Sequence, residues 1–424
     1  MRKLIATSTM LVLGSTGSVV LAPPGTAADA GTTARTQPTA FALQTSGFGT
    51  RVRGGQVPAG SDDTAYTVIA CTNKAGLTRQ NHVAEETLPG VGKASEITTK
   101  VWTTQSRKGV VTSRSRNSVA RVVLADSPLG SLSIDGLRSV SKAWHDSSGF
   151  HSSTKTSIGS ITLTPAAGDP QQLDLPTPDQ PLEVPGLATI SLGKSHKSAG
   201  SGGAKATAEV LRIDVTASGS RARIGHTYAE IDGGVKSGIF GGFASGLRAN
   251  AADSNITTGR TPYQPMPCQG TGGETEVSST AAVDLGGQIV VGAVESRQRA
   301  EQTRKRAGGF EQGRVASIDI GDGALVVKGI VGRVNVHRTG DHLHKLVRNI
   351  KGTTIGSITA DGEPQTFPDT GVLEIPGVAR LESSIKHKIK GGMAVTALRI
   401  TLLDGTGATI NLGQAKLFVK PSGR

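Results

Sequence analysis

Apolar and polar residues alternate along most of this chain with a period of two, as in Gln288-Ile-Val-Val-Gly-Ala-Val294. That alternation sends successive side chains to opposite faces of a pleated strand. Turn signals punctuate the runs. Ser317 to Ile320, then Gly321-Asp322-Gly323, then Ala324 to Val327 predict a β-hairpin, because Asp-Gly supplies the positive φ angles of a tight turn. Leu398 to Leu403, Asp404-Gly405 and Ala408 to Leu412 predict a second. A period of 3.6 is approached only between His342 and Ile350. The fold class expected is therefore all-β.

The second half of the chain restates the first at an offset of 187 to 197 residues. Phe48 matches Phe243, and Tyr66-x4-Cys71 matches Tyr263-x4-Cys268. Ser106-Arg107-x6-Arg114-x-Arg116 matches Ser296-Arg297-x6-Arg304-x-Arg306, and Leu132-x-Ile134-x-Gly136-Leu137 matches Leu325-x-Val327-x-Gly329-Ile330. Ile158-Gly-Ser-Ile-Thr162 recurs at Ile355, Leu182-Glu-Val-Pro-Gly-Leu-Ala188 as Leu373-Glu-Ile-Pro-Gly-Val-Ala379, and Leu211-Arg-Ile213 as Leu398-Arg-Ile400. In the Leu-Glu-Val/Ile-Pro-Gly element a strand ends at a proline that cannot donate a ladder hydrogen bond, and glycine permits the turn. Collinear matches of this kind imply a duplicated domain. The expected layout is a signal peptide (1–30), a flexible tail rich in Thr, Ala and Gln (31–45), and two tandem β-sandwich-like or barrel-like domains at 46–236 and 237–424.

The leader reading rests on Met1-Arg2-Lys3, an apolar stretch to Ala22, Pro23-Pro24-Gly25, and small residues at Ala28 and Ala30. No later run reaches the roughly 20 apolar residues of a spanning helix, and the end of the chain, from Phe418 to Arg424, shows no sorting or membrane signal. A secreted or wall-associated protein with no transmembrane span after leader removal is the expectation. Composition narrows the partner. A net charge of +13 favours anionic wall polymers or acidic glycans. Three Tyr, two Trp and eight Phe are too few to interleave stacking aromatics with basic residues, which argues against nucleic acid.

Candidate chemistry is sparse. Cys71 and Cys268 occupy equivalent places in the repeat, so a pseudo-twofold packing of the copies brings them together, and an oxidising compartment would pair them. Such a bond would close a loop worth roughly 5 kcal/mol; free thiols or a bond to another chain are the alternatives. A nucleophilic cysteine needs a nearby His, and His82 has no counterpart after Cys268. Asp369-Thr370-Gly371 has the letters of an aspartic-protease loop. That chemistry needs two such loops, and the equivalent stretch is Asp179-Gln180-Pro181. Trp144-His145-Asp146 with His151, and Asp341-His342-x-His344, contain metal-ligand types but are not repeated, so no metal and no cofactor is expected.

The repeated basic pattern is the surface feature that suggests binding. Arg114-x-Arg116 and Arg304-x-Arg306 have the spacing that places both side chains on one strand face, with Arg107 and Arg297 ahead of them. Arg forks bind phosphate or carboxylate in pairs of hydrogen bonds. The alternative is a charged edge that prevents strand-to-strand aggregation. A carbohydrate-binding module would need an aromatic platform, for which Trp102, Trp144 and Tyr228 are available; a divergent extracellular hydrolase would need an acid, base or nucleophile constellation that the sequence does not present. The expectation is a non-enzymatic structural or interaction protein.

The secreted layout, with Gly54-Gly-Gln-Val-Pro58, Thr353-Thr-Ile-Gly-Ser-Ile358 and Leu373-Glu-Ile-Pro-Gly377, resembles the choice-of-anchor P proteins of high-GC Gram-positive bacteria. The resemblance implies exported β domains held at the surface and implies no catalytic residues.

Overall fold

The alternation produces strands throughout the computed structural model, which describes residues 36–54, 63–127, 130–250, 259–285, 288–405 and 407–423. The leader at 1–30, and positions 55–58 of the family-like motif, lie outside the described residues. The first half contains β1 (Gln37–Gly54), β2 (Thr67–Ala75), β3 (Thr78–Leu88), β4 (Gly92–Gln105), β5 (Val111–Ser127), β6 (Gly130–Asp146), β7 (Gly149–Ser157), β8 (Ser160–Pro165), β9 (Gln171–Leu173), β10 (Leu182–Val184), β11 (Ala188–Leu192), β12 (His196–Ala199), β13 (Gly203–Ala208), β14 (Leu211–Val215) and β15 (Ser220–Asp232). The second contains β16 (Gly238–Asn250), β17 (Thr261–Pro265), β18 (Glu276–Thr280), β19 (Val283–Asp284), β20 (Ile289–Val291), β21 (Val294–Gln302), β22 (Arg306–Ile320), β23 (Leu325–Thr339), β24 (Lys345–Asn349), β25 (Ile358–Ala360), β26 (Glu363–Gln365), β27 (Val372–Ile375), β28 (Ala379–Ile389), β29 (Gly392–Leu402) and β30 (Thr409–Pro421).

These strands form four antiparallel sheets, and none closes into a barrel, which removes the barrel-like alternative. Sheet 1 runs β10-β11-β14-β15-β1-β2 with β13 also on β15, and sheet 2 runs β3-β4-β5-β6-β8-β9 with β7 on β6. Sheet 3, β17-β16-β30-β29-β28-β27, repeats the order of sheet 1. Sheet 4, β18-β21-β22-β23-β25-β26 with β24 on β23, repeats that of sheet 2. Left-handed glycines mark the correspondence: Gly136 and Gly329 both have φ 69°, immediately before Leu137 and Ile330. The described residues belong to one compact unit.

Each half buries a core between its two sheets. In the first, Val52, Ile190, Ile213 and Ile224 of sheet 1 meet Ile97, Val119, Leu132, Ile134 and Ile161 of sheet 2. In the second, Leu247, Leu381, Ile400 and Leu412 of sheet 3 meet Val294, Val315, Val327 and Ile330 of sheet 4. A polar waist crosses the first sandwich beside this core: Thr45, Thr99, Ser113, Ser115, Asn117, Ser139, Ser141 and Thr227 are all buried. Several of them are paired. Asn117 Nδ2 donates to Thr99 Oγ1 at 2.7 Å, Ser113 Oγ to the Gln44 carbonyl at 2.7 Å and Thr45 Oγ1 to the Tyr228 carbonyl at 2.8 Å. In the second sandwich the sheets meet backbone to backbone at the corresponding level. A Cβ on Gly332 would lie 1.8 Å from the Gly413 carbonyl oxygen, a position only glycine can fill.

Two expectations change. Residues 37–45, read as part of a flexible tail, are the first half of β1; Leu43 and Thr45 are buried and pair with Ile231 and Ala229 of β15. Threonines conceal this strand, because Thr39 and Thr45 supply part of its inner face. The stretch from His342 to Ile350 is not helical: a short 3-10 turn at Asp341–Leu343 leads into β24, which pairs with β23.

Candidate anion-binding face

The outer face of sheet 2 gathers cations. On β5, Val111, Ser113, Ser115, Asn117 and Val119 point into the sandwich, so Arg114 and Arg116 must point out. Antiparallel register then sets their neighbours. Trp102, Arg114, Lys142 and Ser153 lie side by side across β4, β5, β6 and β7; the next row is Lys100, Arg116, Val140 and Lys155, and the next Thr98, Ser118, Arg138 and Ser157. On the other side of the tryptophan row lie Thr104, Thr112, Trp144 and His151. None of these positions carries a carboxylate, and both tryptophans of the chain are among them. Acids flank the grid: Glu96 beside His82 at 3.8 Å, Asp135 of β6 paired with Arg121 at 2.6 Å, and Asp146 at the β6–β7 tip.

Like charges directly opposite each other are destabilising in a sheet. Here Lys100 faces Arg116 and Arg114 faces Lys142. Burial, and after it the charges of Arg116 and Arg138, pulls the Arg114 pKa below its ordinary value; burial, then Arg114, does the same to Lys142. The aromatic rings hold these cations. Lys142 Nζ sits 4.1 Å from the Trp144 ring centre, the Arg114 guanidinium 5.1 Å and Lys100 Nζ 5.8 Å from that of Trp102. Trp144 is itself fixed: its indole N–H donates to Asp146 Oδ2 at 3.1 Å and its ring stacks on His151. Hydrogen bonds from Ser148, with those of Trp144 and His151, hold the Asp146 carboxyl well below the usual carboxylate range. A hollow of about 510 Å³ opens among Arg114, Arg138, Lys142 and Lys155, with Val140, Ser153, Thr154 and Ser157 completing its lining. Among the described residues none of those four cations has a salt-bridge partner.

The second copy supplies an internal comparison. Matching Ile97, Val119 and Leu137 to Val294, Val315 and Ile330 puts Arg297, Gln312 and Arg333 in the place of Lys100, Arg116 and Val140, and Arg299, Phe310 and Asn335 in that of Trp102, Arg114 and Lys142. This face is compensated. Glu295 accepts hydrogen bonds from Arg297 and takes Arg314 at 3.4 Å, and Glu301 lies in the adjoining row.

The sequence match among arginines is therefore out of register. Arg304 lies in the β21–β22 turn and Arg306 opens β22, so the two do not form a strand-face pair equivalent to Arg114 and Arg116. Arg107 lies in the β4–β5 turn, where its true counterpart is Arg304: Gln105-Ser-Arg-Lys108 repeats as Gln302-Thr-Arg-Lys305. Lys100, Arg138, Lys142 and Lys155 were not singled out from the sequence; alternation extended from Arg114 across β4, β6 and β7 would have found them. Tyr228 is on β15 of sheet 1, so it shares no platform with Trp102 and Trp144.

Cys71 and Cys268 are joined by a disulfide with Cα atoms 5.2 Å apart. Cys71 lies on β2 and Cys268 just beyond β17, and the bond packs with Ala42, Val235 and Ile239. Asn73 Nδ2 adds a buried hydrogen bond of 2.7 Å to the Ser422 carbonyl. Among the described residues no group of three or more His, Cys, Asp or Glu side chains converges as a metal-binding cluster, and no helix is long and apolar enough to cross a membrane. His145 is packed between Phe41 and Phe150, away from Asp146, and Asp369 is exposed in a turn before β27. Comparison with protein-family models, curated proteins and solved structures finds no match to this chain.

Proposed function

We propose that the chain is a secreted, non-enzymatic interaction protein that holds an anionic polymer, such as an acidic wall polymer or glycan, on the outer face of sheet 2. The observation that carries this reading is the carboxylate-free grid around Arg114, Arg116, Arg138 and Lys142, set against the compensated face of the second copy. Placing like charges side by side costs stability, and an anionic ligand recovers that cost. Tryptophan contacts restrict the cations before the ligand arrives, which reduces the ordering entropy of binding. The disulfide and the surface setting implied by the family resemblance support an extracellular location.

The test is co-sedimentation of the purified mature protein with Gram-positive cell-wall material at low and high salt. One variant carries Arg114→Ser, Arg116→Ser, Arg138→Ser and Lys142→Ser; a control carries Arg297→Ser, Arg299→Ser, Arg314→Ser and Arg333→Ser. Salt-sensitive binding lost in the first variant and kept in the second is the expected result. Absence of binding by the unaltered protein, or equal loss in both variants, overturns the reading.

A further inference from the structure

We infer that the hollow centred on Val140 is a discrete site for one tetrahedral oxyanion, a phosphate or sulfate group carried by the ligand; this rests on the proposed function of the same face. Val140 is the short apolar residue of the grid. Along β6 its neighbours on the outer face are Arg138 and Lys142, and across the sheet they are Arg116 and Lys155. The diagonal positions are Arg114, Ser118, Ser153 and Ser157. Every neighbour is thus a cation or a hydroxyl, and the small side chain leaves a depression of about 510 Å³ lined by Arg114, Arg138, Lys142, Lys155, Ser153 and Ser157.

This arrangement suits a group with several acceptor oxygens. Guanidinium forks and ammonium groups supply charge-assisted donors from four sides, and serine hydroxyls add neutral donors at the corners. Arg114 Nε is buried and has no hydrogen-bond partner, so a donor is left free within the cluster. The second copy gives the contrast: Arg333 replaces Val140 and lies 3.8 Å over the Phe310 ring, filling the corresponding place with a side chain. The volume exceeds that of a bare ion, which leaves room for the sugar or polyol bearing the charged group.

The experiment is NMR or calorimetric titration of the full mature protein with inorganic phosphate and, separately, with sulfate, for the unaltered protein and for Val140→Phe. The substitution fills the floor while keeping every cation. Saturable binding of at least one anion, weakened about tenfold or more by Val140→Phe while adhesion to wall material persists, is expected. The stronger of the two anions identifies the group. If neither anion saturates, or if Val140→Phe binds both unchanged, the discrete site is wrong, whereas wall adhesion that remains salt-sensitive leaves the broader reading of the face intact. Loss of wall adhesion in the unaltered protein instead overturns that broader reading.

Discussion

Replacing Glu311 by Gln is expected to stabilise the protein at neutral pH and to have little effect in acid. Glu311 lies on the inner face of β22 opposite Gln298, fully buried, and neither of its carboxyl oxygens has a hydrogen-bond partner. Burial, and after it the charge of Glu276, raises its pKa well above the ordinary value. The folded state therefore holds this proton more tightly than the unfolded chain does. Its contribution is complete below the unfolded pKa of about 4.3 and is lost by about 1.4 kcal/mol for each pH unit as pH rises toward the folded value. Gln cannot titrate and has nearly the same shape. Urea unfolding of both proteins from about pH 4 to about pH 7 measures the difference; the advantage of Glu311→Gln should widen by that slope across the window. Stability curves that stay parallel would show that Glu311 ionises at its ordinary pKa and that its burial carries no electrostatic cost.

Three other outcomes are expected. Cys71→Ser with Cys268→Ser removes a cross-link spanning 197 residues, for which the chain-entropy relation gives about 5 kcal/mol; chemical denaturation of the oxidised protein and the double variant checks it. His226, stacked on Phe48 and held down to about 4 by burial and then by Arg223 and Arg51, contributes stability that is present above about pH 6.5 and lost as pH falls. His226→Phe should flatten that acid limb in thermal unfolding. Asp232 is pushed up to about 7 by burial and then by Glu230, so its contribution is complete below about pH 4 and is lost as pH rises to about 7; Asp232→Asn should remove that decline, read from pH-dependent melting.

Strand and turn were legible because each depends on near neighbours in the chain, and the repeat because its matching letters recur in the same order. Asp322 and Gly323 set the β22–β23 turn, with φ of 49° and 99°, as Asp-Gly chemistry requires. The Leu-Glu-Val/Ile-Pro-Gly elements end β10 and β27 before glycines of φ 73° and 70°. What was not legible depends on register. Arg114 and Arg116 could be placed on one face of β5, but which residues of β4, β6 and β7 lie beside them, among them Lys100, Arg138, Lys142 and Lys155, depends on the registers of three successive hairpins, which alternation alone does not set. The same limit misaligned the arginines of the second copy, where a shorter β4–β5-type turn and a shifted offset gave a coincidental letter match. β1 escaped notice for a different reason: its inner face relies on Thr39, Leu43 and Thr45, and a buried Thr reads as polar until its hydroxyl is seen paired.

The short segment 233–237 is all the chain that separates β15 from β16, yet the halves on either side of it are also sewn together between β2 and the loop after β17. A protease that cuts that segment would therefore release nothing. The nicked molecule would run as one species on a gel until a reductant separated it into two fragments of similar size, so the cross-link makes the connector dispensable for holding the halves together.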